Sequence, residues 1–279
     1  MDAWSWILLL FLMTLFSVGL WRTVGWERRL TRRLQALSWE GAGLVRGLGD
    51  LPPVLQTYLK NVLPAGDAMP AVSRVELRQN GLINMGEGEA QWKAFKARQL
   101  VFTRAPGFAW IARIRPTIWV CDAYVNAEGS LRAAFMGVLP LANQHDRDTL
   151  AQAELQRFLA ELPWYPMLLL TCPSLAFKPL SENSVEISIR DGELSAALSF
   201  VFNDQGLVER VYAPERARFR GGRFVSTAWE GRWYAYARVA GVLVPQRAEA
   251  LWLEGESTAP YWQAELTSLS YTDAQTEVE

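Results

Sequence analysis

Histidine and cysteine are almost missing from this 279-residue chain: it holds His145, Cys121 and Cys172 and no others. A Ser-His-Asp triad would have to use His145, yet no G-x-S-x-G elbow presents a serine to it. One imidazole and two widely separated thiols cannot supply the four nitrogen and sulfur ligands of a zinc site, so no metal is expected. P-loop and G-x-G-x-x-G strings are also lacking, and no cofactor is expected. The cysteines fit no C-x-x-C pattern; they read as two buried thiols in preference to one disulfide, because isolated cysteines pack as small hydrophobes. His145, in the polar string Asn143-Gln144-His145-Asp146, reads as a surface-loop residue. The net charge is only −1. With the basic residues concentrated near the N-terminus, the remainder is net acidic, which argues against nucleic acid as a partner.

Apolar surface is what the chain has in quantity: half its residues are hydrophobic and 13 are tryptophan. Trp4 to Trp21 contains no charged side chain, and a helix of that length spans ~27 Å, close to the hydrocarbon thickness of a bilayer. Trp4, Trp6, Trp21 and Trp26 bracket it as interfacial tryptophans do. No basic residue precedes the run and no small-x-small site follows it, so a retained anchor over 4–21 is expected in place of a cleaved signal peptide. Arg22, Arg28, Arg29, Arg32 and Arg33 follow the span and are assigned to the membrane surface. This bias places the C-terminal domain on the cytoplasmic side of a bacterial inner membrane, behind a single pass. Trp26, Leu30, Leu34 and Leu37 share a helical face, either on headgroups or in a stalk continuing the anchor. Gly41, Gly43, Gly47 and Gly49 mark a linker, so 22–49 forms a basic juxtamembrane helix and linker.

From residue 50 to 271 the pattern predicts one antiparallel β domain, with 272–279 a tail. Pro52-Pro53 opens a short helix with Tyr58, Leu59 and Val62 on its apolar face. Thereafter the period is two, with strands near 91–103, 108–115, 118–126, 130–137 and, after residue 184, a run of hairpins to 271 that includes separate strands near 207–212, 216–220, 223–227 and 231–239. Asn80-Gly81 reads as a hairpin turn. One helix interrupts, capped by Asp148, with Leu155, Phe158, Leu159 and Leu162 inward and Pro163 ending it. Short connections require an antiparallel meander. The fold class is therefore mainly β with a few helices: an N-terminal transmembrane helix, then a strongly curved sheet (half-barrel or open barrel) with one or two packing helices.

Carboxylates set among aromatics are the remaining candidates for chemistry. Asp122, Glu161 and Glu230 have such neighbours, and each could instead pair with an arginine such as Arg113 or Arg232. Arg216, Arg218 and Arg220 share one face of a strand, as a solvated row or as a contact for anionic headgroups. Tryptophans and phenylalanines on almost every strand would line a cavity if the curved sheet leaves one. Its expected walls are Trp164, Tyr165, Trp229 and Trp233, with Glu161, Glu230 and Arg232 as polar contacts.

Trp92, Phe95 and Gln99, Pro106-Gly107-Phe108, Asp122-Ala123-Tyr124, Trp164-Tyr165-Pro166, Trp229-Glu230-Gly231-Arg232-Trp233 and Tyr261-Trp262 together resemble an uncharacterised bacterial family, a domain of unknown function behind one membrane helix. The resemblance spans about residues 50–271 and implies no activity, cofactor or catalytic residue. In architecture alone the chain is similar to LolA-like lipoprotein carriers, which implies a half-barrel holding acyl chains under a helical lid. Those carriers work outside the cytoplasm, whereas the arginine bias favours the inside. The leading expectation is a membrane-anchored, non-catalytic binding protein for a hydrophobic or lipid-like ligand. The alternatives are a carboxylate-dependent hydrolase and a membrane-tethered scaffold that recruits a protein partner.

Overall fold

The computed structural model describes residues 2–37, 46–64, 72–86 and 89–273. Gly41 and Gly43 of the expected linker, and most of the expected tail, lie outside these. Helix α1 (Ala3–Gln35) is unbroken for 33 residues, a length of ~50 Å at 1.5 Å per residue. Asp2 caps it, accepting from the backbone N–H of Ser5 at 3.0 Å. Its first half exposes Trp4, Ile7, Leu8, Leu10, Phe11 and Phe16, and by length and composition it can cross a membrane. The second half is amphipathic, and its apolar face is covered by protein. Leu30, Leu34 and Leu37 pack against Leu100, Phe102, Ala109, Trp119 and Cys121, so this segment is a stalk continuing the first half.

The rest is one antiparallel sheet built from two meanders. The first comprises β1 (Val72–Asn84), β2 (Trp92–Phe102), β3 (Gly107–Ile114), β4 (Ile118–Val125), β5 (Gly129–Phe135) and β6 (Leu139–Asp146). The second comprises β7 (Leu175–Ser181), β8 (Ser184–Asp191), β9 (Leu194–Phe202), β10 (Val208–Arg220), β11 (Arg223–Val239), β12 (Val242–Glu254) and β13 (Ser257–Asp273). First and last strands pair, Val75 with Tyr271 and Leu77 with Leu269, so the order is β6-β5-β4-β3-β2-β1-β13-β12-β11-β10-β9-β8-β7. The sheet stays open, with β6 and β7 as its edges.

Helix α3 (Thr149–Ala160) connects the meanders and touches β4, β5 and β6 from one and β8, β9 and β10 from the other. The sheet therefore curls around it, and the helix is buried nearly all round, Glu154 and Gln156 included. Helix α2 (Pro53–Val62) packs on β8 and β12 through Leu55, Tyr58, Leu59 and Val62. A short 3-10 turn, Leu162–Trp164, and helix α4 (Leu168–Thr171) complete the interior. Both cysteines are buried free thiols.

Four sequence expectations need correction. Asn80-Gly81 is no turn; it lies inside β1, paired with Lys96 and Phe95 on one side and Glu265 and Ala264 on the other. Glycine is needed there for close approach, since a Cβ would stand 2.1 Å from the Gln263 carbonyl oxygen and 2.6 Å from the Phe95 ring. Residues 143–146 are strand β6, not loop, and His145 pairs with Ser130 across the sheet. Asp148 does not cap α3. The Asp146 carboxylate, carried under the first turn by β6, accepts from the N–H groups of Asp148, Leu150 and Ala151 at 3.1, 2.9 and 3.1 Å, where the helix dipole also favours it. Finally, the breaks expected near 213–215 and 228–230 fall inside the long strands β10 and β11. Pro214 is absorbed by a bulge between Ala213 and Arg216, as a residue without an N–H requires.

Candidate functional site

Strand alternation turns Trp229, Gly231 and Trp233 of β11 toward α3, opposite Trp252, Ala250 and Ala248 of β12. Trp110 of β3, Trp262 of β13 and Trp164 complete an aromatic wall around a cavity of about 250 Å³. Trp164 meets Trp233 edge-on at 4.8 Å between ring centres, and its Nε1–H donates to the Pro245 carbonyl at 3.0 Å. Phe219 and Phe224, both exposed, stand at the cavity's edge.

The helix supplies a charged strip to this apolar enclosure. Arg157 donates through Nε to Glu161 at 2.9 Å and through Nη1 to Asp122 at 3.1 Å. Its guanidinium lies 5.1 Å from the ring centres of Phe108 and Trp110. Gln99 Nε2 donates to the other oxygen of Glu161. One helical turn earlier sits Glu154, only 6% exposed. From the opposite wall comes Arg216, which the bulge in β10 keeps on the same face as Trp229; its guanidinium lies 4.8 Å over the Trp229 ring.

Four buried polar atoms at this cavity lack a hydrogen-bond partner among the described residues: Asp122 Oδ1, Glu154 Oε2, Arg216 Nη1 and Trp233 Nε1. Buried polar groups are seldom left so. Burial, reinforced by the Asp122 charge, pushes the Glu154 carboxyl up to about 8, so at neutral pH it is protonated and can donate. Burial also raises Asp122, against the opposing pull of Arg157. Burial disfavours charge on Arg157 too, but Glu161 and Asp122, both hydrogen-bonded to it, more than offset this and hold the guanidinium protonated. Two N–H donors and a neutral carboxyl in an aromatic enclosure suit an acceptor group, above all an anionic one.

Of the residues singled out in the sequence, Glu161, Trp164, Trp229 and Trp233 line the cavity together with Asp122. Tyr165 is packed deeper, its hydroxyl donating to the Phe158 carbonyl at 2.6 Å. Glu230 and Arg232 occupy the opposite phase of β11 and face outward, because the strand period is two. There Arg232 Nε donates to Glu230 at 2.6 Å and Nη1 to Glu249 at 3.2 Å. Arg113 is exposed on β3. Arg218 and Arg220 both pair with Glu254. Glu154 and Arg157 are site residues that the sequence reading missed; Trp110 belonged to the aromatic supply expected to line a cavity, and Gln99 carried only the family resemblance. The spacing 154, 157, 161 was the available signal: a charged stripe on a helix whose other faces are apolar. Arg28, Arg29, Arg32 and Arg33 are exposed along α1, Arg33 pairing with Glu128 at 3.3 Å; the side chain of Arg22 is not among those described.

Fold and site together define an open antiparallel half-barrel wrapped around one buried helix, with a tryptophan-walled cavity against that helix. The chain belongs to the family of unknown function DUF6920, whose model matches residues 49–271. A search of curated proteins finds no match. Among solved structures it is similar to a LolA superfamily protein from Nitrosomonas europaea, at 8% identity and a TM-score of 0.40, covering 81% of this chain and 94% of that one. It is also similar to a β-barrel-like protein of the domain of unknown function DUF1849 from Brucella abortus, at 7% identity and a TM-score of 0.21, covering 74% of this chain and all of that one.

Proposed function

We propose that this chain is a membrane-anchored binding protein whose cavity takes a single-chain amphiphile bearing an anionic head. The observation that carries this reading is the convergence of unpartnered donors, Arg216 Nη1 and Trp233 Nε1, on a tryptophan-walled cavity. The volume limits the occupant. At about 250 Å³ the cavity falls just below the ~300–1,000 Å³ of drug-sized ligand pockets, enough for the greater part of one acyl chain and too small for a diacyl lipid. The head would meet Arg216 and Trp233, while the apolar body lies against Trp110, Trp164 and Trp229. In this reading α1 is retained as a single-pass anchor of the bacterial inner membrane, and Arg28, Arg29, Arg32 and Arg33 keep the domain on the cytoplasmic side.

Fatty-acid uptake by the full chain in detergent tests the reading. cis-Parinaric acid accepts excitation energy from tryptophan, so binding in this cavity gives sensitised emission that saturates at one equivalent. An uncharged methyl ester of the same chain is expected to bind more weakly. Absence of saturable emission, or equal binding of acid and ester, would overturn it.

A second reading draws on the Glu154 carboxyl. A carboxyl raised by burial, one helical turn from the Arg157 guanidinium, is the kind of group that general acid catalysis uses. Glu154→Gln would then abolish turnover of a bound ester while leaving parinaric-acid binding intact; unchanged hydrolysis in that variant would discard the hydrolase.

A further inference from the structure

Strand register places the turns after β3, β5, β10 and β12 at one end of the sheet, together with the end of β1. Helix α1 meets the domain at that same end. Gly19 lies so close to the β5–β6 turn that a Cβ there would come within 2.2 Å of Val138 Cγ2 and 3.2 Å of the Gly137 carbonyl oxygen. From there the helix runs along the outer face of the sheet. Trp26 stacks edge-on with Trp119 at 5.6 Å, and Arg33 reaches Glu128 beyond the far end of β4. Gly19 still belongs to the uncharged run 4–21. The β5–β6 turn therefore sits level with the last turn of the candidate span.

Large apolar side chains are exposed at this end. Phe135, Met136 and Leu139 flank the β5–β6 turn, Phe219 and Phe224 flank the β10–β11 turn, and Met85 follows β1. Among the described residues outside α1, the exposed large apolar side chains away from this end are Leu180 and Tyr234. Cations accompany them: Arg115 after β3 and Arg223 after Gly221-Gly222, both exposed, with Arg220 before that turn paired to Glu254 at 3.2 Å. Apolar tips framed by arginine match a bilayer interface, with hydrocarbon below and anionic phosphate above. An apolar patch at a sheet edge, left in water, would instead promote association.

We infer that this end of the sheet is seated in the interface of an anionic bilayer, the β5–β6 and β10–β11 turns dipping below the headgroups. Phe219 and Phe224 border the cavity as well as this rim, so the cavity mouth opens onto lipid. Ligand then enters from the membrane, not from water. The inference rests on the reading of α1 as a membrane span and is independent of which ligand the cavity takes.

Depth-dependent fluorescence on the full chain in vesicles of phosphatidylethanolamine and phosphatidylglycerol tests it. Cys121 and Cys172 are buried, so an environment-sensitive thiol dye reports single sites introduced as Met136→Cys, Phe224→Cys, Glu182→Cys and Phe11→Cys. Positions 136 and 224 should be quenched by spin-labelled lipid and protected several-fold from aqueous iodide, relative to position 182 in the β7–β8 turn. If position 11 is lipid-quenched while 136 or 224 is as open to iodide as 182, the interfacial rim is refuted and the span stands. If position 11 is itself open to iodide, the span fails and the inference with it.

Discussion

Arg216 is the residue on which ligand chemistry turns. Its guanidinium lies on the Trp229 ring with Nη1 buried and unpartnered, and a charge-assisted hydrogen bond from it to a ligand head is worth ~1.5–3 kcal/mol. Arg216→Gln should therefore weaken parinaric-acid binding by roughly tenfold or more, measured by the sensitised emission, with little change in melting temperature. Glu154 sets a pH dependence of stability. Its carboxyl is near 8 in the fold and in the usual carboxylate range when unfolded, so between those values the native state binds the extra proton and stability falls as pH rises. Melting of the full chain in detergent should drop from pH 5 toward pH 8, and Glu154→Gln should flatten that slope; equal slopes would show that Glu154 is not the group responsible. At this scale the sequence was half legible. Aromatic neighbours marked Glu161, Trp164, Trp229 and Trp233, but strand phase, invisible without register, sent Glu230 and Arg232 to the outer face. Glu154 and Arg157 escaped because charged residues on a helix ordinarily face solvent, whereas α3 is buried nearly all round.

Helix α1 and strand β1 carry the expectations at the scale of elements. Leu34 is fully buried between the stalk and β2–β4, so Leu34→Ala should cost about 2–5 kcal/mol, read as a fall in melting temperature. Gly81→Val places branched carbon where the Gln263 carbonyl and the Phe95 ring already stand. It should destabilise by at least about 1–3 kcal/mol; a neutral result would mean that β1 and β13 do not pair as described. The apolar run 4–21, the amphipathic face Trp26-Leu30-Leu34-Leu37 and the α3 pattern were readable from spacing alone, because each is a local period. Asn80-Gly81 misled for the opposite reason. The dipeptide favours a turn locally, yet here the glycine serves a cross-strand contact with the Gln263 carbonyl, 182 positions away. Asp146 displaced Asp148 as the α3 cap because a strand, not a loop, precedes the helix.

Over the whole molecule, the pairing of β1 with β13 joins two meanders into one sheet, and α3 in the concavity keeps the sheet from filling its own interior. Short connections made the antiparallel meander legible in the sequence. The closure of first strand on last was not, since long-range pairing leaves no local mark. Nor could composition show whether the tryptophans fill a core or line a cavity; that depends on how far the sheet curls around α3. Native mass spectrometry of the full chain, extracted from membranes in mild detergent, is the most direct test of the binding claim. The expected spectrum shows a population carrying one acidic, single-chain molecule, diminished in Arg216→Gln. A spectrum of ligand-free chain alone, with no adduct formed when a fatty acid is added, would contradict it.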